Sequence, residues 1–313
     1  MTASNDSIAA FPVGRFAPSP TGALHLGNLR TALASWLSVK SRGGRWLVRI
    51  EDVDRARCRA EWAELQLNEL KLLGLEPDGI VVWQSQRSQL YRQALDQLAR
   101  QGRLYRCSCS RKDLSLMPAA PHEGDGLRAY PGFCRDARVS HFLSNALRVE
   151  LPSGQVVWED RLQGARSDDP SATTGDPILH RRDGCFAYHL AVVVDDAEQG
   201  VTEIVRGADL CDVTATQIRL QELLGFARPA YAHLGLVTAP DGSRLGKRER
   251  VASLTALSGC GIRIPEIIGW LGWSLGCQGN LPHPEACRAE ELIEHFDWAR
   301  VPAGPIPAPE GWA

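Results

Sequence analysis

The segment Arg15-Phe16-Ala17-Pro18-Ser19-Pro20-Thr21-Gly22-Ala23-Leu24-His25-Leu26-Gly27-Asn28-Leu29-Arg30 places a histidine and a glycine where a helix begins. Its apolar lead-in, Phe11 to Ala17, breaks at Pro18 and Pro20, and apolar residues return at Leu26, Leu29, Leu33 and Leu37, so it predicts a strand, a tight turn and a helix. The first turn of a helix offers unpaired backbone N–H groups and the positive end of the helix dipole. That setting suits a phosphate, and His25 adds a donor. Gly27 has no side chain and lets a flat group such as a nucleobase lie against the helix. On the turn alone, an ordinary strand-to-helix connection is the alternative.

Two further groups of residues could do chemistry. Cys107, Cys109 and Cys134 offer three soft ligands, whereas zinc prefers four; nine cysteines, two of them one residue apart, suit a metal better than a disulfide framework. Asp136 and His122 are chemically easy candidates for the fourth position. The loop Asp241 to Arg250 is too polar for a core and predicts a mobile lid carrying Lys247.

The elements that must position these groups alternate. Arg45 to Asp52 predicts a buried strand ending in Glu51 and Asp52; Ala63, Leu67 and Leu70 mark a helix, Ile80 to Trp83 a short strand, and Tyr91, Ala94, Leu95 and Leu98 another helix. Such β-α-β-α order predicts an α/β fold with a parallel sheet, whose ligands bind beyond the carboxyl ends of its strands. From Leu104 the pattern changes to an inserted module, in which Leu147-Val149-Leu151 and Val156-Val157-Trp158 predict a small antiparallel piece turning at Pro152-Ser153-Gly154. The apolar run Phe186 to Val194, closing on Asp195-Asp196, reads as a strand where the main pattern resumes. Val201 to Val205 is a further strand leading to Arg206, followed by a helix from Thr214 to Leu224 that Gly225 ends and a strand from Tyr231 to Val237.

With 313 residues and 44% hydrophobic content, the chain can bury one large core or two modest ones. A net charge of −2 argues against non-specific coating of nucleic acid and leaves room only for local contacts. Met1 to Ala10 carries no charged leader or long apolar run, so no membrane association and a cytoplasmic location are expected.

The opening segment resembles the first signature of the class I aminoacyl-tRNA synthetases in its glutamate-type form, with arginine and serine ahead of the turn. Arg244-Leu245-Gly246-Lys247-Arg248 resembles the second signature, although Gly246 stands where serine is usual, and Leu47 to Arg57 is close to the same subgroup. The resemblance implies a Rossmann-type catalytic domain in which His25, Gly27, Asn28 and Lys247 bind ATP, brought with Mg²⁺. His25 and Lys247 would act on the phosphoryl oxygens as pyrophosphate leaves. It implies a glutamate pocket of Arg15, Ser19, Glu51, Tyr188 and Arg206, and points to Tyr130 as the fourth ligand of a structural Zn²⁺ beside Cys107, Cys109 and Cys134. Glutamate needs two cationic partners and one anionic partner, and these charges fit.

Only 66 residues follow Lys247, too few for an anticodon-binding region of roughly 100 residues or more. That resembles the truncated branch of the family that places glutamate on the queuosine base of tRNA(Asp). The alternatives are a minimal enzyme charging the tRNA 3′ end and a non-catalytic RNA- or nucleotide-binding relative. The expected organisation is a first Rossmann half over 1–106, an inserted zinc-binding or antiparallel subdomain over 107–175, a second half with the lysine loop over 176–250 and a helical segment over 251–313. The chain is expected to act as a monomer.

Overall fold

The computed structural model describes residues 11–110, 113, 129–137, 145–243, 253–279 and 281–312. A seven-stranded sheet carries the chain, in the order β3 (Val82–Trp83), β2 (Arg45–Ile50), β1 (Val13–Phe16), β9 (Glu203–Gly207), β10 (Ala230–Leu234), β6 (Val156–Asp160) and β7 (Gly164–Asp168). Every pairing is parallel except the β6–β7 hairpin. Strand order reverses at β1, which has β2 on one side and β9 on the other. In open parallel sheets ligands bind at such a switch point.

Helices cover both faces. Helix α1 (Leu26–Lys40) packs Leu26, Leu29, Leu33 and Leu37 into a core with Phe16, Trp46 and Val48. Against the opposite face lie α2 (Ser88–Arg100), α3 (Tyr188–Glu198) and α4 (Thr214–Leu224). Strand alternation sends Phe16 toward α1, and Arg15 and Arg49 toward α3. A separate three-stranded antiparallel sheet holds β4 (Leu104–Cys107), β5 (Ala146–Val149) and β8 (Ile178–His180). The C-terminal chain returns to the main core, where Ile306–Pro307 pairs in parallel with Val237–Thr238. No helix among the described residues is long and apolar enough to cross a membrane.

Two expectations are corrected. The run expected as a strand from Phe186 to Asp196 is helical from Tyr188 onward. Seven consecutive residues, Leu190 to Asp196, are buried there, so the helix has no polar face to reveal a 3.6-residue period, and its valines imitate a central strand. The segments around Leu147 and Val156 do not pair with each other. Beyond Pro152-Ser153-Gly154 the chain crosses from the three-stranded sheet to the seven-stranded one, where Val156–Asp160 sits between β7 and β10.

Candidate active site

The turn after β1 ends in a reciprocal cap. The Asn28 backbone N–H donates to His25 Nδ1 at 3.2 Å, and the His25 N–H donates to Asn28 Oδ1 at 3.3 Å. Because Nδ1 accepts, the ring proton lies on Nε2, directed away from the helix as a donor. Although the residue is exposed by area, desolvation lowers the His25 pKa while Asp209 pulls it upward, which favours the neutral donor form. The imidazole lies across Gly27, where a Cβ would fall 3.0 Å from ring carbon Cε1. Ser253 bridges to the His25 backbone. Lys247, Arg244, Gly246 and Arg248 lie outside the described residues, but the chain re-enters at Ser253 against this turn.

Beside the turn, charged side chains converge under the sheet. Arg15 donates through Nε to Asp196 Oδ1 at 3.0 Å, and Arg49 reaches the same oxygen through Nη1 at 2.8 Å. Arg49 also donates to Glu51 Oε1 at 3.2 Å. The two guanidiniums hold the Asp196 carboxyl below its ordinary range against the opposing effect of burial. For Glu51 burial wins and the pKa is raised. Tyr188 stands among them: burial raises its pKa, while Arg206 and Arg15 lower it and Glu51 raises it further, which puts the hydroxyl within electrostatic reach of all three. Ser19 is exposed at the rim, its carbonyl accepting from Gln66 Nε2 at 3.1 Å.

Arg206 differs from Arg15 and Arg49. It is 5% exposed, and its donors go to His233 Nε2 (2.9 Å), Gln217 Oε1 (2.7 Å) and Thr214 Oγ1 (2.8 Å). Among the described residues no carboxylate lies within 4.0 Å of it. A buried guanidinium without an anion is costly, which makes Arg206 a candidate partner for an anionic ligand.

Cys107, Cys109 and Cys134 bring their Sγ atoms within 4.8 Å of one another. The Tyr130 hydroxyl lies 3.5 Å from Cys107 Sγ and 3.6 Å from Cys109 Sγ, and Cys109 and Cys134 Sγ are 3.6 Å apart. Asp136 is exposed and its carboxylate is not part of the group; His122 lies outside the described residues. A tetrahedral ion with Zn–S near 2.3 Å and Zn–O near 2.0 Å requires S···S of about 3.8 Å and S···O of about 3.5 Å, and these three separations match that geometry, so the three thiols could hold a metal with the Tyr130 hydroxyl beside it. Burial and the neighbouring thiols push the Tyr130 phenol upward. The Arg148 guanidinium, 3.7 Å above the ring, works the other way by favouring a phenolate. Hydrogen bonds from Tyr130, Ser108 and Cys109 overcome burial at Cys134 and bring its thiol down to about 7.

Residues 13–305 match the family described as "tRNA synthetases class I (E and Q), catalytic domain". The chain belongs to that family. It is 43% identical over 316 residues to the "Glutamyl-Q tRNA(Asp) synthetase" of Symbiobacterium thermophilum, covering 95% of each chain, and 46% identical over 244 residues to the protein of that name in Geobacter sulfurreducens, covering 78% of each. The solved glutamate-tRNA synthetase of Elizabethkingia anophelis superposes with a TM-score of 0.80 at 24% identity, over 96% of this chain and 68% of that one, and shows the shared fold. Class I synthetases are ligases that use ATP with an amino acid and tRNA.

In this class I chain the structure brings Arg15, Glu51, Tyr188 and Arg206 into one buried cluster, and His25, Gly27 and Asn28 stand together at the start of α1. Sequence patterns missed Arg49, Asp196, Gln217, His233 and Asp160. Arg49 left a signal, a charge in the middle of the apolar strand Trp46 to Ile50. His233 and Asp160 left none, because 73 residues separate them and only the β10–β6 pairing brings them together.

Proposed function

We propose that this chain joins glutamate to ATP as glutamyl-adenylate and then transfers the glutamyl group to queuosine in tRNA(Asp). The buried Arg206 without a carboxylate, beside Glu51 and Arg15, supports an amino acid with a second carboxylate; the names of the relatives support the acceptor. In the first step a carboxylate oxygen of glutamate attacks the α-phosphorus of ATP, and the bond to the β-phosphate oxygen breaks with its electron pair leaving on pyrophosphate. The Nε2–H of His25 and the first backbone N–H groups of α1 face where charge develops on the phosphates, and a preorganised donor of this kind contributes about 3 kcal/mol. Lys247 would serve from the other side, and Mg²⁺ would enter with the nucleotide. Arg206 and Arg15 would hold the carboxylates of glutamate, Glu51 its ammonium, and Ser19 and Tyr188 the pocket edge. In the second step a hydroxyl of the queuosine ring attacks the glutamyl carbonyl carbon, the bond to the phosphate breaks toward AMP, and the hydroxyl proton passes to water.

Cys107, Cys109, Tyr130 and Cys134 would hold one zinc ion, which would tie β4 to the segment around Tyr130 as a structural link. Glutamate-driven ATP–pyrophosphate exchange without tRNA tests the first step, and its absence would refute it. Glutamate acceptance by tRNA from cells with and without queuosine tests the second. Equal acceptance would assign the product to the tRNA 3′ end.

A further inference from the structure

The turn that presents His25 is held from behind by one stretch of chain. Four of its carbonyls accept from residues 51–66: Pro18 from the Glu51 backbone N–H at 2.9 Å, Pro20 from the Arg59 backbone N–H at 3.0 Å, and Ser19 and Gly22 both from Gln66 Nε2, at 3.1 and 2.7 Å. On the same face of the helix Ala60–Leu72, three residues further along, Glu69 Oε2 accepts the Leu24 backbone N–H at 2.9 Å. Leu24 immediately precedes His25, so this bond fixes the peptide that carries the imidazole.

These two side chains are polar where the helix packs inward. Its buried residues are Ala63, Leu70, Gln66 and Glu69, the last two only 2% and 1% exposed. Both partners of the Gln66 amide nitrogen are carbonyl oxygens, which settles the amide orientation: Nε2 faces the turn and Oε1 is the atom left over. Gln66 Oε1 and Glu69 Oε1 are buried without a hydrogen-bond partner. Each side chain thus leaves one acceptor unsatisfied while it holds the turn, a cost that an apolar residue would not carry. A small shift of the turn would move the His25 Nε2–H and the first N–H groups of α1 away from the oxygens they serve.

We propose that Gln66 and Glu69 are positioning residues for the activation step: they hold the turn Pro18 to Leu24 so that His25 and the start of α1 meet the phosphates of ATP. This rests on the adenylate formation put forward above.

The test compares wild type, Gln66→Leu, Glu69→Leu and Glu69→Gln in tRNA-free pyrophosphate exchange, in ATP binding by calorimetry and in thermal unfolding. The Ser19 carbonyl also accepts from Thr21 N–H at 2.9 Å, and Gly22 is half-buried, so Gln66→Leu frees carbonyls that other donors or water can reach. Its unfolding temperature should equal or exceed that of the wild type, because the orphaned Oε1 is removed as well, while kcat/KM for ATP falls about tenfold. Glu69→Leu takes the acceptor from the buried Leu24 N–H and should also lose activity; Glu69→Gln restores an acceptor and should recover most of it. Exchange by Gln66→Leu equal to that of the wild type overturns the proposal. So does a loss of exchange that follows a lowered unfolding temperature, which would make the contact structural only, and so does Glu69→Gln no better than Glu69→Leu. Absence of exchange in the wild type is a separate result that removes the activation step itself. The positioning role is then decided by ATP binding, which Gln66→Leu should weaken about threefold or more and which an unchanged affinity would refute.

Discussion

Arg206 is held from behind by His233, whose Nε2 accepts the guanidinium Nε–H at 2.9 Å while its Nδ1 sits 2.5 Å from Asp160 Oδ2. The relay fixes one tautomer: Nδ1 donates to Asp160 and Nε2 accepts from Arg206. Burial and Arg206 lower the His233 pKa, with Asp160 opposing, in keeping with a neutral ring. His233 thus positions the guanidinium without touching substrate. His233→Ala should raise KM for glutamate about tenfold in pyrophosphate exchange, with a smaller effect on kcat, the size of one charged hydrogen bond. Arg206→Ala should lose about a hundredfold or more in kcat/KM and relax the preference for glutamate over glutamine, because the unmatched guanidinium then no longer penalises the amide. Equal glutamate KM in wild type and His233→Ala would show that the other bonds, to Gln217 and Thr214, suffice.

Stability should fall as the solution is acidified below the ordinary histidine pKa. His189 is half-buried by area, but its Nδ1 is closed off from solvent without a hydrogen-bond partner, and desolvation together with Arg206 lowers its pKa to about 4. The unfolded chain takes up this proton near pH 6.5 and the folded chain only near 4, so the unfolded state binds more protons in between and stability rises with pH over that window. The loss on acidification is on the order of 1–3 kcal/mol. His233 adds in the same direction. Asp160 and Asp196, held low, lose their contribution only at still lower pH. Thermal unfolding from pH 7.5 to 4 should show the slope, and His189→Gln should flatten it.

Much of this was legible locally. The strand, turn and capped helix from Val13 to Lys40 are written in residues adjacent along the chain, and so are Glu51 at the end of β2 and the helix from Thr214 closed by Gly225. Local pattern fails where burial is complete. The helix from Tyr188 to Glu198 shows no polar face, and its acids look like a strand end although they bind Arg15, Arg49 and Arg87 across the core. It fails again at the relay, since neither Asp160 nor His233 carries any mark of the other. Charge type made Arg15 and Arg206 candidates for an anionic ligand, and tertiary pairing decided which of them is already neutralised.

Asp196 carries two guanidiniums on one oxygen, and its removal should be expensive. A buried pair that loses one partner leaves an unmatched charge, which costs about 3–5 kcal/mol, whereas an exposed pair is worth at most about 1 kcal/mol. Asp196→Ala should therefore shift the urea midpoint strongly, and Glu222→Gln, which breaks the surface bridge to Arg219, should barely move it. Asp196→Asn keeps an acceptor for Arg49, so it should fold, yet hold Arg15 loosely and raise KM for glutamate. Equal midpoints for the Asp196 and Glu222 variants would mean that solvent reaches the pocket freely.

The cysteine cluster depends on a glycine outside it. Gly175 has φ +71° and bridges Tyr130, and a Cβ there would fall 2.2 Å from the Tyr130 carbonyl oxygen. A side chain at 175 must push Tyr130 away from the three sulfurs, and the backbone conformation adds its own strain. If Tyr130 supplies the fourth ligand, zinc measured by elemental analysis should be near one per chain in the wild type. Cys109→Ser should lose it, and Tyr130→Phe should retain it more weakly, releasing it to a chelator at concentrations the wild type resists. Gly175→Ala should behave like Tyr130→Phe without altering any ligand. Stoichiometric zinc in Tyr130→Phe with unchanged chelator resistance would leave the fourth position to water or another residue, and the phenol would then serve as a hydrogen-bond partner, accepting the Cys134 backbone N–H at 3.0 Å.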